Sequence, residues 1–376
     1  MIRKWTILAV LLMLTLAMQA CAPATVPPAA QTAPPTAAPT KAPAAAPTKA
    51  AEPTKPPAPT PSPVPASLKF GTTGALGYAG VYVGIEKGFF KEQGIDVELV
   101  NFRAVGEMIG PISTGQIDFA GTPVSSALLA AADRGIELKV AASGTQDISG
   151  RTTFWAALRK DLADSGRVKT PADLKGMKIA IASPGGISKM LVDLMLEEGG
   201  LKPTDVELVS LPFADQIPAF ANKAIDVGIA ADPFLSQGIQ QGVSVKWIPD
   251  HKYFDGKCET AFMVFSPQLA KNKDVAQRWM VAYLKGVRAY LDGVQTKAGR
   301  EEIVNILIKY TPVKDAKLYD YLELPYMDPN GVPDKKSVDK QNKWLLDSGE
   351  YKGKMSLGDM TDLSFAEYAS QRLGKR

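Results

Sequence analysis

Two cysteines and one histidine are all the thiol and imidazole chemistry this 376-residue chain holds. Cys21 is read below as a modified terminus. That leaves Cys258 without a partner, so no intramolecular disulfide is expected, and zinc or iron–sulfur sites built on cysteine are excluded. His251 sits in the polar stretch PDHKYFDGK and reads as a surface residue. Excess charge of one sign is also lacking. The chain has 43 Lys and Arg against 39 Asp and Glu, a balance that leaves no basic footprint for nucleic acid. There is no G-x-x-x-x-G-K-[ST] phosphate loop and no G-x-S-x-G elbow. Ser183–Ser188 (SPGGIS) has the glycines but not the lysine. Long apolar runs are missing too: Ile7–Ala17 is the longest candidate, and it is short for a membrane span.

What that segment does resemble is a leader. Arg3 and Lys4 form a basic start, Ile7–Ala17 an apolar middle, and Met18-Gln19-Ala20-Cys21 a lipobox-like end. Residues 1–20 are therefore expected to be a signal peptide and Cys21 the lipidated mature terminus, which would attach the protein to the outer face of a cell membrane. Residues 21–66 are almost entirely Ala, Pro and Thr. They carry too few large apolar side chains to bury a core, so a disordered linker is expected. At polyproline-like extension it reaches up to ~140 Å.

The folded part contains a repeat. DVELV occurs at Asp96–Val100 and again at Asp205–Val209, and 27 positions separate both Lys69 from Asp96 and Lys178 from Asp205. Downstream, Asp118 and Asp226 each follow a small residue, another residue and Ile, or a close variant of that pattern. Shared spacing over such a length predicts duplication of a strand–helix–strand–helix–strand unit. Such units build parallel sheets with right-handed crossovers. The expectation is an α/β fold of two lobes, each a mostly parallel sheet flanked by helices. Residues 67–152 form the first part of lobe 1, residues 153–258 form lobe 2, and residues 259–376 return to lobe 1. Thr152–Leu158 and Thr260–Phe265 read as the strands that cross, giving a two-stranded hinge.

Ligands of open parallel sheets bind beyond the carboxyl ends of strands, where loops open helices. Four such loops are present. Thr72–Tyr78 offers Gly74, Leu76 and Tyr78, and Gly121–Ser126 offers Thr122 and Pro123. Ser183–Ser188 offers Pro184, Gly185, Gly186 and Ser188, and Ala231–Phe234 offers Asp232 and Phe234. Small residues let backbone N–H groups approach a ligand, and helix starts favour an acceptor or negative charge. The same residues also serve as ordinary helix caps.

Three stretches carry a family resemblance: EKGFFKEQGIDVELV (Glu86–Val100), ISTGQIDFAGTPVSSALLAAADRGIELKV (Ile112–Val140) and the run Pro171–Phe234 that ends in IDVGIAADPF. They resemble the periplasmic solute-binding proteins of ABC importers, in the branch serving nitrate, sulfonates, taurine, thiamine precursors and riboflavin. The likeness extends over most of 67–349. It implies a type II two-lobe fold that closes on a small molecule and docks to a permease and ATPase complex, as a monomer without cofactor. Fungal thiamine-pyrimidine synthases resemble the same fold, but they depend on cysteine-rich and histidine chemistry that this chain lacks, so no catalysis is expected. A ligand sensor that does not transport is the other competing class.

Rings near the loops direct the choice of ligand. Tyr78, Tyr82, Phe102, Phe213 and Phe234 accompany the loops, and Phe154 and Trp155 lie at the first crossing. Tyr78, Phe102 and Trp155 are the foremost candidates. Such rings suit a flat heterocycle held by stacking, although core packing explains any single one equally. Arg103 is the candidate partner for an anionic group, while Asp147 or Glu259 would accept from a ring N–H or amine. A thiamine-type pyrimidine or riboflavin is therefore the expected cargo. A sulfonate, taurine or nitrate is the alternative, since helix starts bind anions unaided.

Overall fold

The computed structural model describes residues 64–376. The expected signal peptide, the lipid on Cys21 and all but the last residues of the expected linker lie outside the described residues.

Among the described residues, ten strands form two five-stranded sheets. The first holds β1 (Ala66–Thr72), β2 (Ile95–Asn101), β3 (Phe119–Thr122), β4 (Lys139–Ile148) and β10 (Lys257–Phe265) in the order β2-β1-β3-β10-β4. The second holds β5 (Phe154–Arg159), β6 (Lys178–Ile181), β7 (Glu207–Ser210), β8 (Val227–Ala231) and β9 (Ser244–Pro249) in the order β7-β6-β8-β5-β9. In each sheet the repeat strands are parallel, and one inserted strand, β10 or β5, runs antiparallel to both its neighbours.

The repeat is visible atom by atom. Lys69 lies opposite Glu98 across β1 and β2, and Lys178 lies opposite Glu207 across β6 and β7. Asp118 Oδ2 accepts the Lys69 amide at 2.7 Å, and Asp226 Oδ2 accepts the Lys178 amide at 2.9 Å. Each aspartate therefore satisfies an N–H of β1 or β6 one residue before the ladder to β3 or β8 begins, a reason for the residue type at that spacing.

The crossing differs from the sequence expectation. Phe154–Arg159 is an internal strand of the second sheet, between β8 and β9. The two strands at the hinge are β4 and β10, paired antiparallel from Phe265↔Lys139 to Lys257↔Ile148. β10 straddles the lobes: Met263 and Phe265 pack in the core around β1, and Cys258 packs in the core around β6. After β1 the chain forms two helices, Ala79–Glu86 and Phe89–Glu92, separated at Gly88 where φ is +75°.

The long helix Lys273–Gly293 covers the first lobe, burying Trp279, Tyr283, Val287 and Tyr290 against β1 and the helix Ala79–Glu86. The two helices approach at backbone distance: a Cβ on Gly286 would lie 2.1 Å from the Gly80 carbonyl oxygen. The returning segment does not stay on lobe 1. Trp344, in the helix Lys335–Asp347, packs against both cores and donates from Nε1 to Asp193 Oδ2 at 3.0 Å. Glu323 accepts the Thr152 amide at 2.8 Å and the Lys246 ammonium at 2.9 Å. Among the described residues no helix is long and apolar enough to cross a membrane.

Candidate functional site between the lobes

A cavity of about 220 Å³ lies between the two sheets at the carboxyl ends of their parallel strands, and all four loops contribute to it. The lobes touch across its mouth. The Ser126 amide donates to the Gly185 carbonyl at 2.9 Å, and Ser125 and Gly186 form an isolated antiparallel bridge. Arg103 stands 3.7 Å from Asp215 of the other lobe. These contacts describe a closed cleft.

The lobe 2 wall is aromatic. Phe213 packs edge-on to Phe154 at 6.0 Å and lies 6.3 Å from Phe234, and all three rings line the cavity. Opposite them stand Tyr78, Pro123 and the hydroxyl-bearing Thr73, Thr145 and Thr260. Tyr78 is itself held: its hydroxyl donates to the Gly121 carbonyl at 2.9 Å, and burial pushes its pKa up to about 12. It is a wall rather than a free donor.

Two helices begin at the cavity without a side-chain cap. Ile187–Glu198 starts after Gly186 and Phe213–Ala221 after Pro212, and Gly186, Ile187, Ser188, Phe213 and Ala214 all line the space. By contrast, the helix Ser126–Asp133 is closed by Ser125 Oγ, which accepts the Leu128 amide at 3.3 Å. Uncapped first-turn N–H groups suit acceptor atoms of a ligand. The acid beside them is Asp232. Its Oδ1 accepts the Ser236 amide and hydroxyl at 3.0 and 2.7 Å, while Oδ2 has no partner among the described residues. Burial raises its pKa to about 6.

Of the candidate residues, the structure brings Tyr78, Arg103, Pro123, Pro184, Gly186, Ser188, Phe213, Asp232 and Phe234 to the cavity. Arg103 sits at the rim with its side chain 80% exposed. The others lie elsewhere for physical reasons. Leu76 is core, and Tyr82 is buried with its hydroxyl on Thr72 and its ring stacked on Tyr310 at 4.7 Å. Phe102 folds back beside Gly71 among Met108 and Ile117. Thr122 is buried in β3 with its hydroxyl on the Pro123 carbonyl, and Gly74 faces Pro312. Gly185 belongs to the contact between lobes rather than to the lining. Trp155 lies on the other face of β5 from Phe154, under the Lys246 ammonium at 5.1 Å. Asp147 is buried at the hinge, accepting the Thr153 and Phe154 amides at 2.8 and 2.7 Å.

Glu259 is buried in lobe 1, accepting from Ser143, Gln146 and the Asp334 amide, with its pKa raised by burial to about 8. His251 is half-buried rather than on the surface, its Nδ1 2.8 Å from Thr152 Oγ1. Thr73, Thr145, Thr153, Ser183 and Thr260 also line the cavity without having been candidates. Thr73 and Ser183 lie within the loops Thr72–Tyr78 and Ser183–Ser188. Thr145 and Thr260 are on the hinge strands, which only pairing across more than a hundred residues brings to the site.

A family model described as "NMT1/THI5 like" matches residues 76–293. A binding protein of Brucella abortus (strain 2308) is 27% identical over 237 residues, covering 62% of this chain and 67% of the relative. An aliphatic sulfonates-binding protein of Escherichia coli (strain K12) is 28% identical over 164 residues, covering 43% and 48%. Among solved structures, the periplasmic nitrate-binding protein of Synechocystis PCC 6803 superposes with a TM-score of 0.67 at 16% identity, covering 83% of this chain and 90% of that one. A desulfurization enzyme, DSZB, also shares the fold, with a TM-score of 0.58 at 14% identity over 82% and 99% of the two chains, so the fold by itself does not separate binding from catalysis. The matched segment holds the second copy of the repeat, the first copy from the residues after β1 onward, three of the cavity loops and the end of the fourth, and on it the chain belongs to the NMT1/THI5-like family, with the two-lobe type II fold of periplasmic solute-binding proteins.

Proposed function

We propose that the protein is the solute-binding component of an ABC import system, and that its cargo is a ring-bearing organic solute of vitamin size. The observation that carries the cargo class is the wall of Phe154, Phe213 and Phe234 in a cavity of about 220 Å³. On such a measure one water occupies roughly 10–15 Å³. A nitrate or taurine molecule would leave most of the space unfilled. A thiamine-type pyrimidine or riboflavin would occupy more of it, stack on the rings and present ring nitrogens or carbonyls to the uncapped helix starts at Ile187 and Phe213. The lipid on Cys21 and the linker behind it would keep the receptor close to its permease.

A second reading has its own support. Relatives and structural neighbours carry names for sulfonate and nitrate binding, which favours an anion over a vitamin. The uncapped helix starts and Arg103 suit an anionic group. An organosulfonate with an apolar or aromatic body satisfies both the names and the phenylalanine wall.

Ligand-dependent melting of the full chain tests both. A solute that binds only the folded protein raises Tm by mass action. A shift with riboflavin or a thiamine-precursor pyrimidine supports the first reading. A shift confined to alkyl- or arylsulfonates replaces it with the second, and a shift only with nitrate or taurine overturns the ring-bearing class.

A further inference from the structure

The helix Ser126–Asp133 touches the opposite lobe at one end and holds the returning part of the chain at the other. At its start, the Ser126 amide bonds across the mouth to the Gly185 carbonyl. At its end, Asp133 gathers the turn that follows the helix Lys335–Asp347. Oδ2 accepts the Tyr351 hydroxyl, and Oδ1 accepts the amides of Lys354 and Met355, each at 3.2 Å. Leu345 and Tyr351 are buried in the same lobe 1 core as Leu128. The stretch Leu345–Met355 is therefore fastened to the helix whose first residue closes the mouth.

That stretch and Trp344 before it meet lobe 2 in a seam of polar side chains. Lys189 and Asp193 stand one turn apart on the helix Ile187–Glu198 and pair at 2.6 Å. From the lobe 1 side, Trp344 Nε1 donates to Asp193 Oδ2 at 3.0 Å, and Glu350 Oε1 lies 3.9 Å from Lys189 Nζ. The Lys189, Asp193 and Glu350 side chains are 13%, 19% and 27% exposed, against 80% for Arg103 at the rim. A hydrogen bond to a carboxylate in so shielded a place is stronger than a solvated ion pair. The seam also adjoins the mouth, since a Cβ on Gly185 would lie 3.6 Å from Glu350 Oε2. The other end of the helix Lys335–Asp347 sits on the hinge: Ser337 Oγ accepts the Glu259 amide and Gln341 Nε2 donates to the Glu259 carbonyl, both at 2.8 Å. From Ser337 to Trp344 the helix rises about 10 Å, which carries the seam away from β10 toward the side where rotation about the hinge parts the lobes.

We propose that Trp344 and Glu350 of lobe 1 and Asp193 and Lys189 of lobe 2 form a latch that holds the cleft closed. Parting Ser126 from Gly185 carries the helix Ser126–Asp133 away from lobe 2, and Tyr351 and Glu350 go with it through Asp133. Lys189 and Asp193 stay on the helix whose start, at Ile187 and Ser188, lines the cavity. None of the four latch residues lines the cavity itself. They act on binding through the closed population alone, and a smaller closed fraction lowers the apparent affinity in proportion. The inference goes beyond the assignment of a cargo and holds for any solute.

Hydrogen exchange of the full chain without solute reads the latch through the Ser126 amide. Among the described residues that N–H bonds to Gly185 alone, so its protection follows the closing equilibrium. Trp344→Phe keeps a ring between the two cores and removes the donor to Asp193. It is expected to lower Ser126 protection by roughly five- to tenfold, the worth of one such hydrogen bond. Glu350→Gln should lower it by less. Lys343→Ala, on the exposed face of the same helix, should leave it unchanged. Protection of Ala141 and Ile179, buried in the two sheets, should hold in every variant. Unaltered Ser126 protection in Trp344→Phe overturns the inference. An equal fall at Ala141 and Ile179 overturns it too, because Trp344 would then be a packing residue only, and so does a wild-type Ser126 amide without protection. Because no solute is present, failure here leaves the solute-binding proposal standing, and failure of the melting shifts leaves this result standing.

Discussion

Phe213 and Trp155 are both aromatic residues close to a lobe crossing, and only one of them faces the cavity. Phe213 is half-buried at a helix start, with Phe154 and Phe234 beside it. Trp155 is bonded through Nε1 to the Thr152 carbonyl at 3.0 Å and covered by Lys246. Successive strand residues point to opposite faces, so with Phe154 lining the cavity its neighbour cannot. Phe213→Ala is expected to weaken binding of the cargo by roughly tenfold or more, since it removes stacking and buried area together. Trp155→Ala should change affinity less than threefold, about 0.65 kcal/mol. Calorimetric titration of the two variants against the solute found by melting shifts checks the pair.

At the scale of elements, the first lobe depends on a close helix crossing. Gly80 and Gly84 on the helix Ala79–Glu86 face Gly286 on the helix Lys273–Gly293, and the missing side chains let the backbones approach. A methyl group at Gly286 meets the backbone of the facing helix, and a rigid carbonyl cannot step aside as a side-chain tip can. Gly286→Ala is therefore expected to destabilise the folded protein by about 1–3 kcal/mol, the usual cost of overpacking. Urea unfolding with an unchanged m-value would show it as a lowered midpoint. Ligand affinity should survive, because no residue of the helix Lys273–Gly293 lines the cavity.

For the molecule as a whole, the mouth of the cleft is held by few direct contacts. The Arg103–Asp215 pair is largely exposed and contributes little on general grounds. The backbone bond from Ser126 to Gly185 is the closer tie. Gly185 has φ of +62°, and a Cβ there would lie 2.1 Å from Ser126 Oγ. Gly185→Ala adds both backbone strain and a clash between the lobes. It should shift the population toward the open form, seen as a larger radius of gyration in solution scattering and a weaker apparent affinity. The melting temperature without ligand should move little. An unchanged radius and affinity would mean that this contact does not limit closure.

The residues alone determined the duplicated unit. Spacing survives in sequence because each copy must place an aspartate against an amide of its first strand, and Asp118 and Asp226 do so in the same way. The four loops were legible for a similar reason: small residues and prolines at strand ends mark where parallel strands turn into helices. What the chain's order could not reveal were the facts of pairing between distant segments. β4 and β10 meet across more than a hundred residues to make the hinge, and that pairing brings Thr145 and Thr260 to the cavity and sets Asp147 opposite Cys258. Whether a ring or an acid faces ligand, core or hinge depends on which side of its strand is covered by elements from elsewhere in the chain. Only the tertiary structure decides that, because burial is a property of the packed layers and not of the local sequence.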